Sequence, residues 1–423
     1  MLDLTKLAQQ MQGISQHLAD EVTASRQRLE LAQRLLTQAQ SRQAELVLQR
    51  QTWNDRLGFA AAEPVEPLTT RVDLKVAPAI HTAIATDGSQ IAPSHHEIAY
   101  CYLINVGRVV LHYGQSLHPL LDSLPEVFYR PEDLYVSRQW GIRTEEWMGY
   151  RRTVSEATVL ADLACQVKGE IGERGEERGV RSQELEGRQD ALDALEGRNE
   201  GQVPLLAMVD GSLIYWFLEA LPNEARDRLL PDILQAWEQL RLAKIPLIGY
   251  LSASRSGEAL NFLRLQTCPH PAPDCATHCP GQSDRAPCHV FDPLRDIALW
   301  SAFLEPGQRS PLWRSSARIL DLYGPHSIYF CYVHVGTEIA RVEFPAWVAE
   351  DSALLEMALS LTLAQVQKGY GYPVVLAEAH NQAVVRGGDR SRFFALLEQQ
   401  MLRAGLRNIG TSYKEARKRG SIA

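Results

Sequence analysis

The sequence predicts an α/β fold, a mixed sheet flanked by helices and preceded by one long amino-terminal helix. Three observations predict it. A heptad-spaced helical pattern fills the amino-terminal stretch. A strand pattern of antiparallel type follows, from Ile80 to Gly114. Strand–helix–strand alternation then begins at Val203, which implies parallel pairing through a crossover. The chain has 423 residues, is 45% hydrophobic and carries a formal net charge of -8. That suffices for one large domain with appendages, or for two.

Leu4, Met11, Leu18, Ala32, Ala39, Leu46 and Trp53 recur every seven residues, with Ser25 as the break. A second stripe holds Leu7 and Ile14, then shifts one place to Val22, Leu29 and Leu36. Such a seam suggests a coiled coil or a long helix with one apolar face. The shift argues against a perfect coiled coil. Dimerisation or partner docking is one reading; a helix folded back on its own domain is the other. Pro64 and Pro67 mark a linker, which sets residues 1–63 apart from a domain over 64–423.

His81 to Thr86 reads as a buried strand that ends in Asp87 and turns at Gly88. Glu97 to Val106 and Arg108 to Tyr113 read as two further strands, with a hairpin turn over Asn105 to Arg108. Thr144 to Cys165 reads as a helix. Glu156 borders its apolar face, and Arg152 lies one turn before it. Residues 167–203 are rich in Glu, Arg and Gly and short of large apolar side chains, so they read as a solvated insertion. Val203 to Val209 is a second buried strand, ending in Asp210-Gly211-Ser212. Glu224 to Ala243 is a helix, Ile245 to Leu251 a strand and Arg255 to Leu265 a helix. Ser327 to Val335 and Glu338 to Phe344 form a hairpin, and Trp347 to Gln367 a helix. Tyr372 to Ala377 reads as a last strand ending in Glu378-Ala379-His380-Asn381. Arg390 to Gly405 is the final long helix.

Composition narrows the function classes. The amino terminus lacks the basic-then-apolar layout of a secretory signal. No stretch reaches the roughly 18 consecutive apolar residues of a membrane helix. A cytoplasmic protein without membrane contact is expected. Cysteine usage agrees: there are seven cysteines, an odd number, and Cys268, Cys275, Cys279 and Cys288 cluster in one Pro-rich insertion over 268–289. Four thiols in one loop suit structural zinc or an iron–sulfur cluster, although C-x6-C-x3-C-x8-C is no standard zinc-finger spacing. An insertion of free thiols is the alternative. The carboxyl end is basic through Arg403, Arg407, Lys414, Arg417, Lys418 and Arg419. It reads as a phosphate-contacting tail or a solvated helix end.

The residues that carry chemistry are spread along the chain. Asp87 and Asp210 end strands, the edge of an open sheet where ligands bind. Glu156 lies on the helix between them, and His380 follows a late element with Tyr372 eight positions before it. Singly each has an ordinary account: Asp-Gly is a common turn pair, and a lone His is more often a hydrogen-bonded surface residue. Together they supply oxygen and imidazole ligands for manganese or magnesium. Two cations about 3.5–4 Å apart can clamp a scissile phosphate. Asp87 would bridge them and Asp210 and Glu156 would each hold one side. His380 would bind a metal or move a proton, and Tyr372 would orient a phosphate or the attacking water. Ribonuclease-H-like nucleases assemble two metals from residues in this order.

The stretches ATDGSQ, VDGSL and GYPVVLAEAHN, the Tyr372-to-His380 spacing and the long early helix resemble the NurA nuclease family, from about Ile80 to the end. The resemblance implies a ribonuclease-H-like, Piwi-related fold. It implies a manganese- or magnesium-dependent DNase of 5′–3′ exonuclease and single-strand endonuclease type. It also implies a homodimer with a central DNA channel. The partner it implies is a HerA-type hexameric ATPase, in the resection of double-strand breaks for DNA repair. By matching motifs, Asp87, Asp210, Tyr372 and His380 carry over. The family's Glu has no fixed flanking motif, so Glu156 has Glu146 as its alternative. The Cys-rich loop and the charged insertion depart from the family pattern. Two other readings use some of the same residues. One is a nucleotide-binding enzyme of the actin and sugar-kinase type, gripping a metal–phosphate with two Asp-Gly turns, although neither is followed by the further Gly-rich turn. The other is a non-catalytic adaptor that docks a hexameric ATPase through the first helix and the Cys-rich loop.

Overall fold

A helix of 50 residues opens the chain, α1 (Leu4–Trp53), and Asp3 caps it by accepting the Thr5 and Lys6 N–H groups. The computed structural model describes residues 3–93, 99–185, 203–281 and 285–405. After α1 come strands β1 (Glu63–Pro64), β2 (Val72–Asp73), β3 (His81–Ile91), β4 (Tyr102–Tyr113) and β5 (Leu120–Phe128). Helices α2 (Pro131–Leu134) and α3 (Thr144–Leu185) lead to β6 (Leu205–Asp210). Then follow α4 (Asn223–Arg226), α5 (Leu230–Leu242), β7 (Leu247–Leu251), α6 (Glu258–Arg264), α7 (Cys275–His278) and α8 (Asp296–Ser301). Strands β8 (Gln308–Arg309), β9 (Trp313–Arg314), β10 (Ile328–His334) and β11 (Ile339–Pro345) come next. Helices α9 (Ala346–Ala349), α10 (Ser352–Lys368), α11 (Val374–Ala383) and α12 (Gly387–Arg403) close the described chain. Among the described residues no helix is long and apolar enough to cross a membrane.

The chain divides into two compact units. The first holds Met1–Lys75, Gly211–Ile214 and Gly249–Ala349. Its core gathers Ala32, Leu36, Ala39 and Leu46 of α1 with Phe262, Trp300, Trp313, Phe330 and Tyr332. The heptad seam of α1 therefore folds back on its own unit in the second half of the helix. In the first half, Leu4, Met11 and Leu18 are 68%, 51% and 56% exposed. The hairpin β10–β11 is antiparallel, as expected, and Gly249–Leu251 of β7 pairs with β11. Arg341 of β11 is buried against Glu343 at 2.7 Å and Glu258 at 2.8 Å. The second oxygen of Glu343 accepts from Ser212 Oγ and the Leu213 N–H, each at 2.8 Å. Every charge in this cluster has a partner, the condition under which buried ions are tolerated.

The second unit holds Val76–Asp210, Tyr215–Ile248 and Glu350–Ala423. Its strands run β5–β4–β3–β6, antiparallel except for the parallel β3–β6 pair. Both faces of β4 are covered. Tyr102, Ile104 and Val106 pack with Met148 of α3, while Leu103 packs with Ile91 and Phe394 of α12. This alternation follows from the period of two along a strand.

Several expectations are corrected. There is no turn over Asn105 to Arg108, because β4 runs unbroken through it. Gly107 is a strand residue, and glycine inside a strand marks close backbone approach rather than a turn. Tyr372 to Ala377 is no strand: from Val374 the chain is helical, with Pro373 at its cap. A short apolar run does not distinguish a strand from a buried helix, and Val375, Leu376, Ala379 and Ala383 are buried at helical spacing. The helix around Glu156 continues past Cys165 to Leu185, so the charged insertion begins as helix, and residues 186–202 lie outside the described residues. The helix expected over Glu224 to Ala243 is two, because Pro231 starts a new one. Strand β5 was not foreseen, since it is largely exposed and carries Pro125, which an edge strand tolerates. In the basic tail, Arg403 closes α12, whereas Arg407, Lys414, Arg417, Lys418 and Arg419 lie outside the described residues.

Candidate functional site

The two strands that carry the aspartates are neighbours; β6 ends at Asp210, but β3 runs on past Asp87 to Ile91, so the strand end and turn expected at Asp87-Gly88 are absent. Thr82 pairs with Leu205, Ala83 with Leu206, Ile84 with Ala207 and Ala85 with Met208. Carried two residues further, the same offset sets Asp87 level with Asp210. Both carboxylates stand where β6 ends and β3 continues alone beside β4.

The face of β3 that bears Asp87 is covered by α11. His380 Nδ1 lies 2.8 Å from Asp87 Oδ2, and Asp87 Oδ1 accepts the Gly88 N–H at 2.8 Å. Two details of β4 set α11 at this height. Gly107 pairs with Asp87, and a Cβ on it would stand 2.5 Å from both the Ala379 carbonyl oxygen and the Ala383 nitrogen. Asn105 donates from Nδ2 to the Ala383 carbonyl at 2.8 Å, and Ser89 Oγ donates to the same oxygen. Glycine lets the helix down onto the strand, and the two polar side chains hold its last carbonyl there.

Glu156 arrives from the opposite face, on α3. Thr86 Oγ1 donates to its backbone carbonyl at 3.0 Å, and Thr86 and Gly88 share that face. A Cβ at Gly88 would overlap the Glu156 carboxylate and the Arg152 stem, so this glycine is the space through which the acid reaches the strand edge. Arg152 Nε is 3.2 Å from Glu156 Oε1 without hydrogen-bond alignment. Burial pushes the Glu156 carboxyl up to about 7. Arg152 opposes the shift, the charges of Asp87 and Asp210 add to it, and the Gly88 N–H opposes it. Asp210 itself is exposed.

Three carboxylates thus share one field with a single arginine, a donor set that suits a divalent cation. Among the described residues, no three His, Cys, Asp or Glu side chains are drawn together closely enough to hold a metal ion. The set is therefore open rather than a cage. That form fits magnesium-type sites, in which one or two carboxylates, water and substrate phosphates share the ion.

Not every expected residue joins the group. Tyr372 is half-buried in the turn before α11. The start of that helix lies about 9 Å along its axis from His380, at about 1.5 Å per residue. Glu146, the alternative to Glu156, bonds the Tyr150 hydroxyl at 2.8 Å. It sits about 15 Å further up α3. Cys268, Cys275, Cys279 and Cys288 are free thiols of the first unit, with Cys275 on α7 and Cys279 at its end. The sequence reading missed Gly88, Ser89, Asn105 and Gly107 as shapers of the site. A glycine within a strand pattern was the available signal.

Comparison with known proteins bears on this arrangement. No curated protein matches the chain. The crystal structure of the NurA nuclease from Sulfolobus solfataricus is similar over 96% of this chain and 98% of that one, with a TM-score of 0.49 and 11% identity. The family model of the NurA domain matches residues 81–385. That span starts at the first residue of β3 and runs past the end of α11, so it takes in Asp87, Glu156, Asp210, Tyr372 and His380. A match over most of the chain identifies its kind: this protein belongs to the NurA family.

Proposed function

We propose that the chain is a metal-dependent DNA nuclease that hydrolyses phosphodiester bonds at Asp87, Glu156, Asp210 and His380, within a ribonuclease-H-like fold. The observation that carries this reading is the meeting of Asp87 within β3, Asp210 at the end of β6 and Glu156 reaching in from α3 over Gly88. Bound manganese or magnesium supplies the charge that stabilises the attacking and leaving oxygens. Asp87 orients the His380 ring through Nδ1, which leaves Nε2 free to take or give a proton in the exposed space above. Glu156, whose carboxyl is pushed up to about 7, would hold the cation as its carboxylate. Asp210 offers an exposed oxygen pair on the neighbouring strand. Tyr372 is set apart from His380 and would contact a phosphate further along the strand. Arg386, Arg390 and Arg392 are exposed at the start of α12, just after the helix that carries His380, where they can contact the DNA backbone.

The family membership supports the same reading, since the Sulfolobus relative is named a nuclease. We extend it to a homodimer that works beside a HerA-type ATPase in 5′–3′ end resection. The exposed apolar stripe Leu4, Met11 and Leu18 on α1 is a surface on which such contacts can form. The test is a cleavage assay on end-labelled DNA with manganese, magnesium or chelator. Cleavage is expected with either ion and none in chelator. Asp87→Asn should lower the rate by about 10³-fold, several kcal/mol of barrier, while DNA binding persists. Full cleavage in chelator would overturn the reading.

A further inference from the structure

The first unit contains a buried cation that the cleavage chemistry does not use. Arg264, at the end of α6, is 6% exposed. Its Nη1 reaches the Asn261 side-chain oxygen at 3.3 Å and its Nη2 donates to Cys288 Sγ at 3.6 Å. Its Nε is buried without a hydrogen-bond partner, and among the described residues no carboxylate pairs with it. The remaining neighbour is the Phe59 ring, 3.8 Å from the guanidinium carbon. A guanidinium buried in this way lacks a counter-charge. The group it points at is a thiol.

That thiol belongs to a set. Thr267 Oγ1 donates to the Cys288 carbonyl at 3.4 Å, which joins the segment before Cys268 to the segment bearing Cys288. Cys275 and Cys279 sit on one helical turn, tied by the Cys279 N–H to the Cys275 carbonyl at 2.9 Å. His270 stacks on His278 at 4.1 Å, which folds the Cys268 side of the loop against that turn. Four thiols that are not paired as disulfides therefore lie on segments tied to one another, and one of them bonds a buried guanidinium.

We infer that Cys268, Cys275, Cys279 and Cys288 ligate an iron–sulfur cluster of the four-iron type, with Arg264 as its counter-charge and hydrogen-bond donor. Four thiolates round a metal–sulfide core carry net negative charge, which is what Arg264 lacks. A hydrogen bond to a ligating sulfur is a normal feature of such sites. A single zinc fits less well. Zn–S bonds of about 2.3 Å bring tetrahedral sulfurs to about 3.8 Å from each other. Among the described residues, no three His, Cys, Asp or Glu side chains are gathered so as to hold a metal ion. A cubane spreads its four sulfurs over separate iron corners and so accepts a wider set.

The experiment uses the full chain purified without oxygen. Iron, zinc and acid-labile sulfide are measured per chain, and the visible spectrum is taken before and after dithionite. About four iron and four sulfide per chain are expected, with a broad visible band that bleaches on reduction. Cys279→Ser and Cys288→Ser should lose most of both. Cys165→Ser, which lies outside the loop, should keep them. One zinc per chain without sulfide would overturn the cluster, and a chain with no bound metal would overturn the site. Both outcomes are read on the unmodified protein, so a variant that fails to fold does not obscure them.

Discussion

Glu156→Gln is expected to abolish DNA cleavage and also to make the metal-free protein more stable above neutral pH. The two effects have one origin. Burial, with the charges of Asp87 and Asp210, pushes this carboxyl up from 4.5 to about 7. Between those values the folded protein keeps a proton that the unfolded chain has released. Stability from this group is thus full below about 4.5 and is lost as pH rises towards 7. At about 1.4 kcal/mol per pH unit, the loss is on the order of 3 kcal/mol. Glutamine carries no such penalty, because it is never asked to ionise. Urea unfolding in chelator at pH 5 and pH 8 checks the claim. Wild type should be the less stable of the two proteins at pH 8, and the gap should nearly vanish at pH 5. A wild-type protein that gains from this residue at pH 8 would contradict it. Activity should fall with the substitution at every pH, since an amide cannot replace a carboxylate as a cation ligand.

Gly107→Ala is the second large effect, and it acts from a distance. The added Cβ meets backbone atoms of Ala379 and Ala383 rather than a flexible side-chain end. Something rigid must move, and the part most free to do so is α11, which carries His380. Overpacking of this kind costs about 1–3 kcal/mol. A displacement of about 1 Å at a reacting group can cost about 10²-fold in rate. Reduced stability in urea together with a large loss of cleavage at unchanged DNA affinity is expected. Gly149→Ala on α3 is the control, because a Cβ there meets nothing within 4 Å. It should leave cleavage intact and stabilise the protein by about 0.5–1 kcal/mol, as alanine does inside a helix. Equal cleavage by Gly107→Ala and wild type would show that the height of α11 does not matter.

What could be read from the sequence was what neighbouring residues decide. Asp210-Gly211-Ser212 ends its strand by local turn chemistry, as expected, whereas Asp87-Gly88-Ser89 does not, because β4 goes on pairing with β3 as far as Ile91. The helix bearing Glu156 shows its apolar period, and the β10–β11 hairpin shows alternation. What could not be read depends on residues far apart in the chain. Gly107 looks like a turn residue until the helix that needs its missing side chain is known. Val374 to Ala377 look like a strand because the run is short and β-branched, and only the buried spacing through Ala383 declares a helix. The heptads of α1 fit both readings because the helix uses its seam in two ways. Its second half is buried and its first half exposed. The Arg341 cluster was invisible for the same reason, since its partners come from positions 212, 258 and 343.

The most direct test is to locate the cations. Crystals of the protein with manganese and a non-cleavable oligonucleotide, measured by anomalous diffraction, would show each ion. Manganese is expected within about 2–2.5 Å of Asp87 oxygens, shared with Asp210 or Glu156 and with a phosphate of the DNA. Manganese bound only away from these three carboxylates, in crystals of a protein that cleaves DNA, would contradict it.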